Sequence, residues 1–336
     1  MSNKVLITGI TGMVGSHMAD FLLKKTKSDI VGICRWRSPL DNVDHLLQRA
    51  NQKNRLKFEY ADLNDLSSLI KVIKKEKPSH IYHLAAQSFP NVSFSEPINT
   101  LSTNILGTYN LLDAIKILNL SPKIHICSSS EIFGRVPKEQ VPIREDNRFH
   151  PASPYAISKV GTDLIGKFFA DAYSMKIFIT RMFTHTGPRR GDVFAESSFA
   201  KQIAMIEQKK QKPVIYVGNL DSMRTFADVR DAVRAYYVLL NSNQKKGECF
   251  NIGGNFSCTI KEMLKFLVGK SKYKKVIKIK IDPKRVRPID ADLQIPDTSK
   301  FQKATGWKPQ IKFEKTMVDL LNYWRNKVKA SNFLIR

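Results

Sequence analysis

Gly9-Ile10-Thr11-Gly12-Met13-Val14-Gly15 is the stretch whose reading decides the fold. It follows a short apolar run, Val5 to Thr8, and opens an amphipathic one, Met13 to Lys24. Glycines between a first strand and a first helix allow a tight turn and close approach of a pyrophosphate to the backbone. They also leave the unpaired N–H groups of the helix N-terminus free for phosphate. Gly9, Thr11, Gly12, Met13, Val14 and Gly15 are therefore candidate dinucleotide contacts.

On either side of this turn, short apolar runs alternate with longer amphipathic ones, the pattern of repeated βαβ units and a parallel sheet. Strands are predicted at Ile30 to Cys34, Leu56 to Tyr60, His80 to His83, Lys123 to Cys127 and Lys176 to Arg181. Helices are predicted at Leu66 to Lys75, Asn99 to Leu118 and Tyr155 to Tyr173. This is an α/β fold with a doubly wound, Rossmann-like parallel sheet. After about Pro188 the rhythm loosens into helices at Phe194 to Gln208, Val229 to Leu240, Ile260 to Leu267 and Phe313 to Trp324. Extended segments are expected there at Val214 to Val217 and Val276 to Ile281. Residues 1–188 are read as the nucleotide-binding domain and 189–330 as mainly a smaller α/β substrate-binding lobe, with a crevice between them.

Which dinucleotide binds depends on the end of the second strand, where an acidic residue would select NAD through the ribose hydroxyls. None occurs from Ile30 to Ser38. Arg35 and Arg37 stand there instead, and guanidinium matches a 2′-phosphate in charge and geometry. The cofactor is thus read as NADP. Asp62 and Leu63, past the third strand, are placed by the adenine. Leu84, Ala85, Ala86 and Ser88, past the fourth, are placed by the pyrophosphate and nicotinamide ribose.

Tyr155 and Lys159 lie four apart on one helix face, with Ser129, Ser130 and Glu131 just past the preceding strand. A nearby ammonium can lower a phenol's pKa, so that the tyrosinate takes a hydroxyl proton near neutral pH. Ser129 can hydrogen-bond the same substrate oxygen.

Together these motifs resemble the extended short-chain dehydrogenases, and within them the GDP-mannose 4,6-dehydratases and their close relatives. The resemblance runs through His83 to Ser88, Ser129 to Glu131, Tyr155 with Lys159, Thr186-Gly187-Pro188-Arg189-Arg190-Gly191, and Gly218-Asn219-Leu220-Asp221-Ser222 with Arg224. It continues through Arg287-Pro288 and Thr305-Gly306-Trp307-Lys308-Pro309. It implies a GDP-linked sugar substrate, oxidised at C4 with Tyr155 as base and Lys159 beside it. Water is then lost across C5 and C6 with Glu131 as base, and C6 is reduced. The resemblance further implies NADP contacts at Tyr155, Lys159, His185 and Arg190, the last near the adenosine phosphate. Substrate contacts are implied at Ser88, Ser130, Thr184, Asn219, Arg224 and Arg287, and no metal is implied.

Three departures stand out. Thr184 replaces an asparagine, Met13-Val14 replaces an acidic residue in the glycine loop, and the segment Arg35 to Asp44 is shorter than the dehydratase loop. The second is closer to the reductases of GDP-4-keto-6-deoxymannose, which keep the same fold, cofactor and Tyr–Lys pair. A reductase therefore remains an alternative, as does a dehydratase acting on a GDP-N-acetylhexosamine or a GDP-heptose. A non-catalytic NADP sensor would be expected to lack the Tyr–Lys pair.

The 336 residues, 42% of them hydrophobic, suffice for a full core. The chain carries 55 basic against 30 acidic residues, a formal +25. Most of the excess is lysine scattered over helix faces and loops, without the aromatic interleaving of nucleic-acid binders. It is read as solvated surface that suits phosphorylated ligands, with neither nucleic acid nor membrane as partner. Four separated cysteines, no leader pattern and no long apolar span point to the cytoplasm. The resemblance also implies that the two long helices, Asn99 to Leu118 and Tyr155 to Tyr173, pair in a homodimer or homotetramer.

Overall fold

The structure is a computed structural model that describes residues 3–47, 55–289 and 291–330. Seven strands form its main layer: β1 (Lys4–Thr8), β2 (Asp29–Cys34), β3 (Leu56–Tyr60), β4 (His80–His83), β5 (Lys123–Ser129), β6 (Lys176–Met182) and β10 (Cys249–Ile252). They make a parallel sheet in the order β10-β6-β5-β4-β1-β2-β3. Order reverses between β1 and β4, and that switch point is where an open α/β sheet offers its ligand crevice. The central strands are rich in apolar residues because helices cover both faces. Leu6, Ile7, Ile81, Ile124, Ile126, Ile177 and Ile179 are fully buried.

Helices α1 (Met13–Lys25), α2 (Leu66–Glu76) and α3 (Pro90–Ser95) follow the first, third and fourth strands. The long helix expected from Asn99 is continuous but not uniform. Pro97–Leu101 (α4) passes through a π turn, Ser102–Leu106, into Gly107–Ile117 (α5). Helix α6 spans Pro154–Ala172, with Ser153 capping it by accepting the Ala156 N–H at 3.0 Å.

The boundary expected at residue 188 is not followed by the sheet. Helix α8 (Val229–Asn241) packs on α1, and β10 adds to β6 at the sheet's edge. The smaller lobe is built from α7 (Ala195–Glu207), β8 (Val214–Val217), β9 (Met223–Asp228), β11 (Phe256–Thr259), α9 (Ile260–Gly269), β12 (Lys278–Ile281) and β13 (Leu293–Gln294). Strand β7 (His185–Thr186) leaves the main layer and pairs with β9, so joining the two lobes. Helix α10 (Ser299–Thr305) lies against β10, and α11 (Phe313–Ala330) packs on α7. A separate core that includes Phe199, Ile203, Met263, Leu267, Met317 and Leu320 holds this lobe together. No helix among the described residues is long and apolar enough to cross a membrane.

Candidate active site

A cleft of about 1470 Å³ runs over the carboxyl ends of the sheet and under the smaller lobe. That exceeds the usual volume of a single small-ligand pocket, about 300–1,000 Å³, so two ligands have room end to end. At one end is the glycine turn. Gly9 has φ +71°, and a Cβ there would stand 2.7 Å from the Ala85 Cα. A Cβ at Gly15 would meet the Gly9 carbonyl at 2.2 Å. Glycine is therefore required at both places, and the turn brings bare backbone to the cleft floor. Gly12 caps α1 without a side-chain bond, and the first turn of α1 carries no acidic residue. This cradle fits a dinucleotide pyrophosphate.

The loop after β4 is held by a buried relay. The Asn104 carbonyl, in the π turn, accepts the Thr108 hydroxyl at 2.6 Å. Thr108 Oγ1 then accepts His83 Nε2–H at 3.0 Å, so the Thr8 hydroxyl must donate to His83 Nδ1, 2.9 Å away. Thr8 Oγ1 finally accepts the N–H groups of Leu84 and Ala85, each at 3.1 Å. Burial first, and the Lys159 charge second, push the His83 pKa down to about 3, so the relay is neutral and its direction fixed. The Asn104 amide also donates to the Gln87 carbonyl at 2.9 Å and to Ser158 Oγ at 2.8 Å, tying loop and π turn to α6.

Mid-cleft stand the candidate reactive groups. Tyr155 and Lys159 are both buried on α6. Ser129 Oγ accepts the Glu131 N–H at 3.2 Å, and Ser129 lines the cleft together with Tyr155. Glu131 lies on the single turn Ser130–Phe133. The Ile132 carbonyl of that turn accepts the His150 N–H at 3.0 Å, on the chain leading into α6. Burial drives the phenol's pKa above its ordinary value, and the groups pulling it back are the Ser129 hydroxyl and the Arg190 guanidinium. Lys159, expected to do that work, gives its ammonium to the Cys127 carbonyl at 2.7 Å, and burial lowers its own pKa.

Arg190 is expected near the adenosine phosphate, but it lies where its charge bears on both Tyr155 and His185. It stacks 3.3 Å from the Phe194 ring centroid and pairs with Glu196 at 3.2 Å. Burial, with the Arg190 charge, pushes the His185 pKa down to about 3. His185 Nδ1 must donate to the Phe183 carbonyl at 3.3 Å, which leaves Nε2 an acceptor.

The cleft lining also takes in Thr11, Met13, Val14, Arg35, Asp62, Leu63 and Ala86 at the nucleotide end. Ser88, Ser130, Thr184, Asn219, Arg224 and Arg287 line it toward the smaller lobe. Arg37 is the exception: it is not part of the lining, and its guanidinium folds back 4.8 Å from the Trp36 ring centroid. Several lining residues escape the sequence reading. Asn91 on α3 accepts Arg287 Nε–H at 2.7 Å across the lobes. Trp324 on α11 donates to Ser197 Oγ at 2.8 Å, and Lys327 lies 3.6 Å from Asp41. The sequence signal of α11 is its amphipathic apolar stripe, which reads as core.

Glycine cradle, Tyr–Lys helix and switch-point cleft define an enzyme of the extended short-chain dehydrogenase class. A family model described as GDP-mannose 4,6 dehydratase matches residues 6–320, and the chain belongs to that family. The Drosophila melanogaster GDP-mannose 4,6 dehydratase is 32% identical, aligning 94% of this chain with 84% of its own length. The Pseudomonas aeruginosa GDP-6-deoxy-D-mannose reductase is 29% identical, over 98% of this chain and 99% of the reductase. Among solved structures, RMD from Pseudomonas aeruginosa complexed with NADPH superposes with a TM-score of 0.81 at 27% identity, covering 97% of this chain and 100% of that one.

Proposed function

We propose that the protein is a GDP-sugar 4,6-dehydratase that works through NADP. The observation that carries this reading is the carboxylate-bearing Glu131 lining one cleft together with Ser129 and Tyr155. Two bases are needed, one for a hydroxyl proton at C4 and one for the proton at C5, and two are present. Bound NADP would supply the hydride exchange, out from C4 and back to C6, leaving no net redox change. Tyr155, steadied by Ser129 and flanked by Lys159, takes the C4 hydroxyl proton. A ketone at C4 acidifies the C5 proton, which Glu131 removes and passes to the departing C6 hydroxyl, so that the two leave as water. The Gly9–Gly15 turn and Arg35 hold the cofactor's phosphates, with Asp62 and Leu63 at its adenine and His185 and Arg190 toward its nicotinamide end. Asn219, Arg224 and Arg287 hold the sugar nucleotide, so the lobe beyond residue 188, apart from α8 and β10, is mainly substrate-binding.

Incubation with GDP-mannose and other GDP-sugars, followed by mass spectrometry, tests this directly. Loss of one water is expected. Gain of two hydrogens on a 4-keto sugar, with consumption of NADPH, would favour the reductase reading, which the Pseudomonas relative keeps as the second choice.

For the cofactor, NADP is expected to bind at least about tenfold more tightly than NAD, roughly 1.4 kcal/mol. Since Arg35 lines the cleft and Arg37 does not, Arg35→Ala should remove most of that preference and Arg37→Ala little. Equal affinities for the two cofactors in the wild type would refute it.

A homodimer is also expected, or a homotetramer built from it. Ile98 and Leu106, on the Pro97–Ile117 helix, and Ile157, Leu164 and Phe168, on α6, are 49–75% exposed. Large apolar side chains on two adjacent helices lose this contact with water when a second copy covers them. Light scattering at micromolar concentration should return at least twice the chain mass, and a monomer would refute the pairing. The four thiols are free, which suits the reducing cytoplasm.

A further inference from the structure

Arg285 belongs to none of the motifs that mark the cleft in the sequence, yet it lines the same end of it as Arg224 and Arg287. It closes the short turn Pro283–Arg285, which Asp282 caps by accepting the Lys284 N–H at 3.1 Å. Its Nη1 donates to Ser198 Oγ at 3.0 Å, and Ser198 is buried in the first turn of α7. Its backbone is fixed as well. Gly218, just past β8, packs so closely that a Cβ there would stand 2.4 Å from the Arg285 carbonyl oxygen.

Stability does not account for this arrangement. The Arg285 side chain is 42% exposed, and its pairing with Asp282 is loose at 3.4 Å. Exposed ion pairs of that kind contribute little. The dinucleotide's own phosphates belong at the α1 N-terminus, on the other lobe. A second anion is therefore the better match for a guanidinium held on two sides along a cleft wall.

We propose that Arg285 is a specificity-determining residue that takes a diphosphate oxygen of the nucleotide sugar, with Ser198 as its positioning residue. This deepens the GDP-sugar reading and rests on it. Asn219, Arg224 and Arg287 are matched to the substrate by their motifs; Arg285 adds a contact to the diphosphate that those motifs do not mark.

The test is calorimetric titration of the NADP-loaded enzyme with GDP and with GMP. Arg285→Gln should weaken GDP binding roughly 10- to 100-fold, the range of a lost charge-assisted hydrogen bond. GMP binding should fall much less, and the melting temperature and NADP affinity should not move. Arg285→Lys should recover part of the loss, and Ser198→Ala should show a smaller loss of the same GDP-over-GMP kind. GDP affinity unchanged in Arg285→Gln, or equal losses for GDP and GMP, would overturn the proposal while leaving the GDP-sugar reading intact. A wild type that binds no GDP would overturn that reading, and the proposal with it.

Discussion

Tyr155→Phe is expected to abolish turnover, with kcat down by about 10³- to 10⁴-fold or more, toward the upper end of what a general base contributes. Tyr155 is buried, and the substitution removes its hydroxyl while leaving the ring that fills the site. No side-chain hydrogen bond among the described residues of the free protein is lost with that hydroxyl, so melting temperature and NADP affinity should change little. The loss is then chemical rather than structural. A pH profile separates the two further. Burial raises the phenol's pKa, so at neutral pH the free protein holds Tyr155 protonated and kcat/KM should climb as pH rises. Arg190 is among the groups that pull this pKa down, so Arg190→Gln should move the rising limb to still higher pH. A Tyr155→Phe variant with appreciable turnover, or a wild-type profile flat on its acid side, would remove Tyr155 from the reaction.

Strands Lys123–Ser129 and Lys176–Met182 begin where the sequence predicts, because central parallel strands covered on both faces are apolar runs with sharp ends. Strand β10, Cys249–Ile252, carries no such signal: four residues with an asparagine become a strand only because β6 offers its edge. That pairing also draws the chain back into the first layer, past the boundary at residue 188. The π turn at Ser102–Leu106 is likewise silent in the periodicity of Asn99 to Leu118. Yet it places Asn104 to bond both Gln87 and Ser158.

The site shows the same split. Motif residues flanking strand ends are legible because the ends of parallel strands converge on one crevice. Arg35 and Arg37 are two apart on a loop, where alternation does not fix side-chain direction; one lines the cleft and the other stacks on Trp36. The motif around Arg190 points it toward the adenosine phosphate, whereas its charge bears on Tyr155 and His185. Its place follows from a left-handed turn at Arg189, with φ 70°, and from the Phe194 ring and Glu196 carboxylate beside it. Arg285 and Asn91 come from segments far apart in sequence, and only the packing of the lobes brings them to the same cleft.

Glu131→Gln should split the reaction where Tyr155→Phe stops it. Oxidation at C4 needs Tyr155 and leaves Glu131 uninvolved, whereas loss of water needs the C5 proton to be taken. The amide is close to isosteric with the carboxylate and retains the backbone N–H bond to Ser129 Oγ at 3.2 Å, so the Ser129–Tyr155 pair should keep its geometry. Turnover is expected to fall by roughly 10²- to 10⁴-fold, the usual cost of removing a general base. Mixing the variant with the correct GDP-sugar should still produce reduced nicotinamide absorbance in a first, stoichiometric phase. Deuterium from solvent should enter C5 of the product with the wild type and not with the variant. Tyr155→Phe should show neither the absorbance nor the label, which distinguishes a blocked first step from a blocked second. Wild-type turnover in Glu131→Gln would show that the carboxylate is a structural acid at the start of a single helical turn, and the reductase reading would take the place of the dehydratase.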